Sequence, residues 1–156
     1  MKALIASVLT FAALSGAIGS VGALSAMGSP RPLTQAPVFP WVPKGGYPDP
    51  FPPGQCTYWA AYNHLVTWNG NAGDWLANAK AQGVATASTP SVGAIAVFRP
   101  GAGYSELGHV ALVTAVGPHT YSVGEMNYLG LGQLDARTIA WPDPHLAGFI
   151  PLAGAL

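Results

Sequence analysis

The chain holds one cysteine, Cys56, in the stretch GQCTYWAAYNHL (residues 54–65). Without a partner for an intramolecular disulfide, Cys56 is either a small buried hydrophobe or a thiol that does chemistry. A thiol becomes a useful nucleophile as thiolate, and a helix N-terminus lowers its pKa because the helix dipole favours the anion. The residues after Cys56 have helical spacing, so Cys56 stands at such a position. Its base must come from elsewhere, and the chain has 4 histidines: His64, His109, His119 and His145. His64 lies two turns along the same expected helix, too far to touch the thiol. His119 sits in a Pro-His-Thr turn and His145 in the Pro-rich PDPHLAG, and both read as loop residues. His109 opens the β-rich run HVALVTAV directly after Gly108, and glycine lets a backbone or substrate approach closely. By itself an isolated strand histidine is more often structural.

The next β-rich run bears on that choice. In YSVGEMNY (residues 121–128), Glu125 and Asn127 are two apart, so both side chains project from one sheet face. Such a pair could mark a solvated face. A carboxylate and an amide beside a strand-borne histidine could instead fix the tautomer and orientation of the imidazole. Nucleophile on a helix, base on one strand and orienting groups on the next is a complete division of labour.

The elements that must position these residues follow from periodicity. From Gln55 to Trp68, residues Tyr58, Ala61, Tyr62, Leu65 and Val66 share the spacing of one helix face, and Asn69-Gly70-Asn71 ends the run. Asp74 to Gln82 reads as a second, shorter helix with Asp74 as N-cap and Gly83 as its stop. Then come short β-rich runs at 94–98, 108–116, 120–127 and 137–140, with a final strand expected at 148–152. Helices first and an antiparallel sheet afterwards make an α+β domain.

Composition sets the outer limits. A chain of 156 residues suits one domain plus something short at an end. Charged residues make up 8% with a formal net charge of +0, so there is no basic footprint for nucleic acid and no polybasic face for anionic lipid. A hydrophobic content of 50% supplies a core, while Gly (20) and Pro (15) favour turns and short strands. Residues 1–26 have Lys2 at the start, an apolar run from Ala3, no further charge until Arg31, and small residues Ala23, Ser25 and Ala26 near the end. That is the pattern of a secretory signal peptide. An uncleaved anchor is the alternative, since the run reaches the spanning length of about 20 residues, though its many Gly, Ser and Ala residues weaken it. No cysteine lies near its end, which excludes a lipid-modified N-terminus. Residues 27–46 form a Pro-rich linker, and the domain occupies 47–156. Trp41, Tyr47 and Phe51 are expected to pack on its surface. Exported domains usually carry cysteines in pairs, so export draws attention to Cys56.

GQCTYWA, GHVALV and VGEMNY, in that order, resemble the cysteine, histidine-dependent amidohydrolase/peptidase (CHAP) domain, most closely its staphylococcal secretory antigen type. The resemblance extends to NAGDWLANAKAQG, TPSVGAIAVF and a closing TI and GFI, and it covers about Tyr47 to Leu152. It implies a papain-like α+β fold, with N-terminal helices packed on an antiparallel sheet. It also implies peptidoglycan as substrate, cut by an N-acetylmuramoyl-L-alanine amidase or by an endopeptidase of the stem peptide or cross-bridge. By this resemblance Cys56 is the nucleophile and His109 the general base. Glu125 orients the imidazole, Asn127 is a supporting polar group, and Gln55 stands where an oxyanion is stabilised. Some members bind calcium through closely spaced Asp residues before the nucleophile. Here that region, YPDPFPPGQC, has Asp49 alone, so no metal and no other cofactor is expected. No stretch resembles a separate wall-binding domain. The expectation is a secreted, cell-wall, extracellular monomer with no nucleic-acid partner and no stable membrane association after signal removal. A non-catalytic wall-associated interaction protein, or a phage- or toxin-type lytic effector with the same chemistry, are the alternatives.

Overall fold

The computed structural model describes residues 45–101 and 103–152. The expected signal peptide at 1–26 and all but the end of the expected linker at 27–46 lie outside the described residues.

Helix α1 spans Cys56–Asn63 and begins from Gln55 in extended conformation. It is shorter than its periodicity suggests. Asn63 turns its side-chain amide back to the Trp59 carbonyl at 2.8 Å, competing with the main chain, and His64 leaves the helix at φ −145. Residues 64–68 then lie outside any helix, with His64, Val66 and Trp68 buried and Leu65 and Thr67 exposed. HLVTW therefore alternates with period two, and the expected helical stripe mistook the onset of that alternation for a continued helix face. The helix face is also different from the one expected. Cys56, Ala60, Ala61 and Asn63 are its buried residues, whereas Tyr58 and Tyr62 stack on each other at 6.0 Å, Tyr62 being exposed.

Helix α2, Trp75–Ala81, follows directly on a 3₁₀ turn at Ala72–Asp74. Because that turn leads straight into it, Asp74 is already helical in its backbone and makes no side-chain cap, contrary to the expected N-cap. The far end is as expected. Gly83 takes φ +77, its N–H bonds the Lys80 carbonyl and the Val84 N–H bonds the Ala79 carbonyl, which satisfies the last carbonyls of the helix. No described helix is long and apolar enough to cross a membrane.

Five strands follow: β1 Ile95–Phe98, β2 His109–Val116, β3 Thr120–Met126, β4 Leu134–Ala140 and β5 Leu146–Ile150. They form one antiparallel sheet in the order β4-β3-β2-β1-β5. β4 starts earlier than expected because it pairs with the whole of β3, from Thr120↔Ala140 to Met126↔Leu134. One sheet face (Ile95, Val97, Val110, Leu112) packs on α1 and α2 residues such as Ala60 and Trp75. The other (Ala96, Phe98, Ala111, Val113, Val123) is covered by Tyr104 and Trp141. With both faces covered, central β1 is buried along its whole length. Two short helices on a five-stranded antiparallel sheet make the α+β, papain-like architecture.

Candidate active site

Cys56 is the first residue of α1, and His109 is the first residue of β2. Gly108 makes this meeting possible. It takes φ +76, and a Cβ there would stand 2.5 Å from the Gly73 backbone and 2.7 Å from the Phe98 carbonyl oxygen. Only glycine lets the chain come so close to the 3₁₀ turn, where the Gly73 N–H bonds the Leu107 carbonyl at 2.8 Å. The chain thus turns into β2 with the His109 ring beside the thiol.

His109 Nε2 lies 2.7 Å from Glu125 Oε2, with both side chains buried and Glu125 fully so. A carboxylate accepts from Nε2–H, so Nδ1 is the nitrogen left for Cys56. The titration shifts follow from this packing. Burial pushes the Cys56 thiol up, but the hydrogen bond and charge of His109, helped by the Val110 and Thr57 backbone, outweigh it and leave the thiol below its ordinary value. Burial likewise pulls His109 down, yet Cys56 and Glu125 together raise it to about 9. Burial raises Glu125, and hydrogen bonds from His109 and Arg137 more than reverse that, so it stays below the usual carboxylate range. The arrangement favours a thiolate–imidazolium pair over a neutral thiol and imidazole.

Asn127 does something else. It follows the end of β3 at φ +64, so strand alternation no longer governs where its side chain points. Its Nδ2 donates to Gln55 Oε1 at 2.9 Å, and Glu125, not Asn127, takes the bond to His109. A second tie joins the same two segments, from the Gly132 N–H to the Gly54 carbonyl at 2.9 Å. The β3–β4 turn therefore braces the residues just before Cys56. With its oxygen occupied, Gln55 is left with its NH₂ as a free donor group at the cleft.

Cys56, His109, Gln55 and Asn127 all line one cleft of about 360 Å³. Among the described residues no carboxylate, lysine or arginine side chain is in its walls. The remaining histidines stay away from it: His64 is buried with its ring nitrogens facing the Leu65 and Pro151 carbonyls, and His119 and His145 are exposed. Two residues at the site were not singled out in the sequence. Tyr104 stacks on both Phe98 (4.5 Å) and His109 (5.6 Å), and Arg137 donates to Glu125. A lone tyrosine in a Gly-rich loop and an arginine inside an edge strand carry no local signal. Their roles depend on which strand lies beside which.

A CHAP domain profile matches residues 46–127, more than half of the sequence, and the chain belongs to the CHAP domain family. Among curated relatives, a Streptococcus mutans protein named "Putative hydrolase" is 42% identical over 101 residues, covering 63% of this chain and 46% of that protein. A Staphylococcus aureus protein named "Probable autolysin LDP" is 40% identical over 100 residues, covering 59% of this chain and 34% of its own length. This chain thus spans less than half the length of these relatives. In three dimensions it is similar to a crystal structure of N-acetylmuramoyl-L-alanine amidase from Staphylococcus aureus, with TM-score 0.52 and 32% identity. That likeness covers 55% of this chain and 27% of the amidase.

Proposed function

We propose that this protein is a secreted peptidoglycan hydrolase of the bacterial cell wall, acting as a monomer and cleaving an amide bond through Cys56 and His109. The observation that carries this reading is the buried line Cys56–His109–Glu125, whose Cys56 and His109 open onto one cleft. Relatives named hydrolase, autolysin and amidase support the substrate class.

In this mechanism the Cys56 thiolate attacks the amide carbonyl carbon and the carbonyl oxygen becomes an oxyanion. The Gln55 NH₂ is the donor for that charge. The C–N bond then breaks as His109 gives its Nδ1 proton to the leaving amine, leaving a thioester on Cys56. Neutral His109 next takes a proton from water through Nδ1, hydroxide adds to the thioester, and the thiolate departs from a new carboxylate. Glu125 accepts Nε2–H throughout, so Nδ1 always does the proton transfer. A non-catalytic wall-binding role would leave this buried row of ionised groups without a task.

The deciding experiment is digestion of purified peptidoglycan with identification of the new termini by mass spectrometry. A free muramyl lactyl carboxylate with a new L-Ala amine indicates the amidase, and new termini within stem or cross-bridge indicate the endopeptidase. Intact walls after prolonged digestion would overturn the reading. Among the described residues no group of three His, Cys, Asp or Glu side chains is placed to hold a metal, and activity is expected to persist in EDTA. A calcium-reversible loss would implicate Asp49.

A further inference from the structure

We propose that Arg137 is a positioning residue of this site, holding Glu125 as an oriented carboxylate at every stage of the reaction so that Nδ1 of His109 stays directed at Cys56. This rests on the reading of Cys56, His109 and Glu125 given above. Arg137 stands opposite Val123 in the β3–β4 ladder, so it is a diagonal neighbour of Glu125 on the same sheet face, within reach of a long side chain. Its Nε donates to Glu125 Oε1 at 2.5 Å and its Nη2 reaches Glu125 Oε2 at 3.3 Å. Nη2 also donates to the Tyr104 hydroxyl at 2.9 Å. The guanidinium lies over the Tyr128 ring, 3.8 Å from its centroid. Two donors and two aromatic neighbours fix the plane of the cation, and with it the plane of the carboxylate.

The need for this second cation appears when the charges are followed through the mechanism. At rest the row Cys56⁻, His109⁺, Glu125⁻, Arg137⁺ is balanced. Once the leaving amine has taken the His109 proton, Cys56 is an uncharged thioester and His109 is neutral. Glu125 is then a fully buried carboxylate whose counter-charge is Arg137. Without Arg137 such a carboxylate takes up a proton. It would then donate to Nε2, and the ring's own proton would move to Nδ1. In that tautomer Nδ1 cannot accept a proton from water, and deacylation stalls. The other groups facing Glu125 do not replace the cation. Asp135, its register partner on β4, and Asp143, which raises the Tyr104 hydroxyl, are carboxylic acids, and Tyr104 and Tyr128 bring aromatic rings rather than a cation.

The test compares Arg137→Met and Arg137→Lys with the wild type. The pH profile of Cys56 alkylation by iodoacetamide needs no wall substrate, so it reads this inference even if peptidoglycan proves not to be the substrate. Arg137→Met is expected to move the acid limb of alkylation upward by a pH unit or more. Its turnover should fall on the order of 10²-fold with little change in KM, a milder form of the wrong-tautomer loss seen in serine hydrolases. Arg137→Lys should recover part of both, because it returns the charge without the two-pronged contact. A folded Arg137→Met protein with a wild-type profile would overturn the proposal. Should that variant not fold, the wild type decides. Carboxamidomethylation of Cys56 imitates the uncharged acyl-enzyme, and ¹⁵N NMR above the His109 titration is then expected to show Nε2–H with Nδ1 unprotonated. Protonated Nδ1 there would equally overturn it.

Discussion

The loop and helix that carry Cys56 and the three strands that carry its partners are held by interactions of different reach. On the first side, Gly54, Gln55 and the opening turn of α1 are consecutive, and the place of Cys56 at the helix N-terminus is settled within a few residues. On the second, His109 begins β2, Glu125 lies one residue before the end of β3 and Arg137 sits within β4, and it takes strand pairing to bring them together. A local defect on the first side removes one group. A slip in the second turns every side chain of a strand to the opposite face. Local chemistry places the Cys56 thiol, and long-range pairing tunes its charge.

The largest effect is expected on the local side. Cys56→Ser should lower turnover by at least about 10⁴-fold, as removal of a nucleophile does in other acyl-transfer enzymes, while leaving thermal unfolding in place. Wild-type clearance of walls by the serine variant would put the nucleophile elsewhere.

Next is Glu125→Gln on the strand side, where a loss on the order of 10²–10⁴-fold is expected from the comparable triad substitution. The variant also carries a pH signature. In the wild type, His109 keeps its proton up to about 9, so the ion pair is present between ionisation of the thiol and that pH and is lost above it. Without the carboxylate, imidazolium disappears at lower pH while the thiol ionises only at higher pH, and the window for the pair narrows from both ends. Alkylation rates measured across pH should show the acid limb displaced upward. An unchanged profile would mean that Glu125 does not govern the pair.

The same division explains what the sequence discloses. Cys56, the stop at Gly83 and the runs that became β1, β2 and β3 are legible because each depends on neighbours a few residues away. The continuation of α1 to Trp68 is not, since HLVTW satisfies a helical stripe and an alternating strand about equally well. Its burial beneath Trp75 and beside Pro151 chooses the second. Arg137 is invisible in sequence for a further reason. Its partner is set by the pairing of Val123 with Arg137, which no property of LDARTIA specifies. Glu125 and Asn127 look equivalent at two residues apart, and it is the left-handed turn at Asn127 that separates them.

A stability effect should exceed any catalytic one at the junction of the two sides. Gly108→Ala forces a Cβ against the Gly73 backbone at positive φ, a conformation that costs about 1–3 kcal/mol before the clash is counted. A fall in Tm of roughly 5–15 °C follows for a domain of this size. A Tm within a degree or two of wild type would show that the 3₁₀ turn yields easily and does not hold His109 in place.

The smallest effect is expected where the two sides are tied, at Asn127. Its amide contacts Gln55 and not the imidazole, so its removal should leave the charge row intact and loosen only Gln55, the oxyanion donor of the proposed mechanism. Deleting an oxyanion donor outright costs about 10²–10³-fold, so loosening one should cost less, about 10-fold, and far less than Glu125→Gln. The choice of variant matters because Asn127 stands at φ +64, where alanine is strained and glycine is not. Asn127→Gly removes the amide with the backbone at ease, whereas Asn127→Ala removes it and strains the turn. Both should lose turnover to a similar degree, and Asn127→Ala should also lose Tm. The alkylation profile of Cys56 should match wild type in both, which distinguishes a loosened oxyanion donor from a disturbed ion pair. Wild-type turnover in Asn127→Gly would show that the Gln55 amide needs no brace. A shifted alkylation profile would instead bring Asn127 into the charge row and make it a partner of His109 after all.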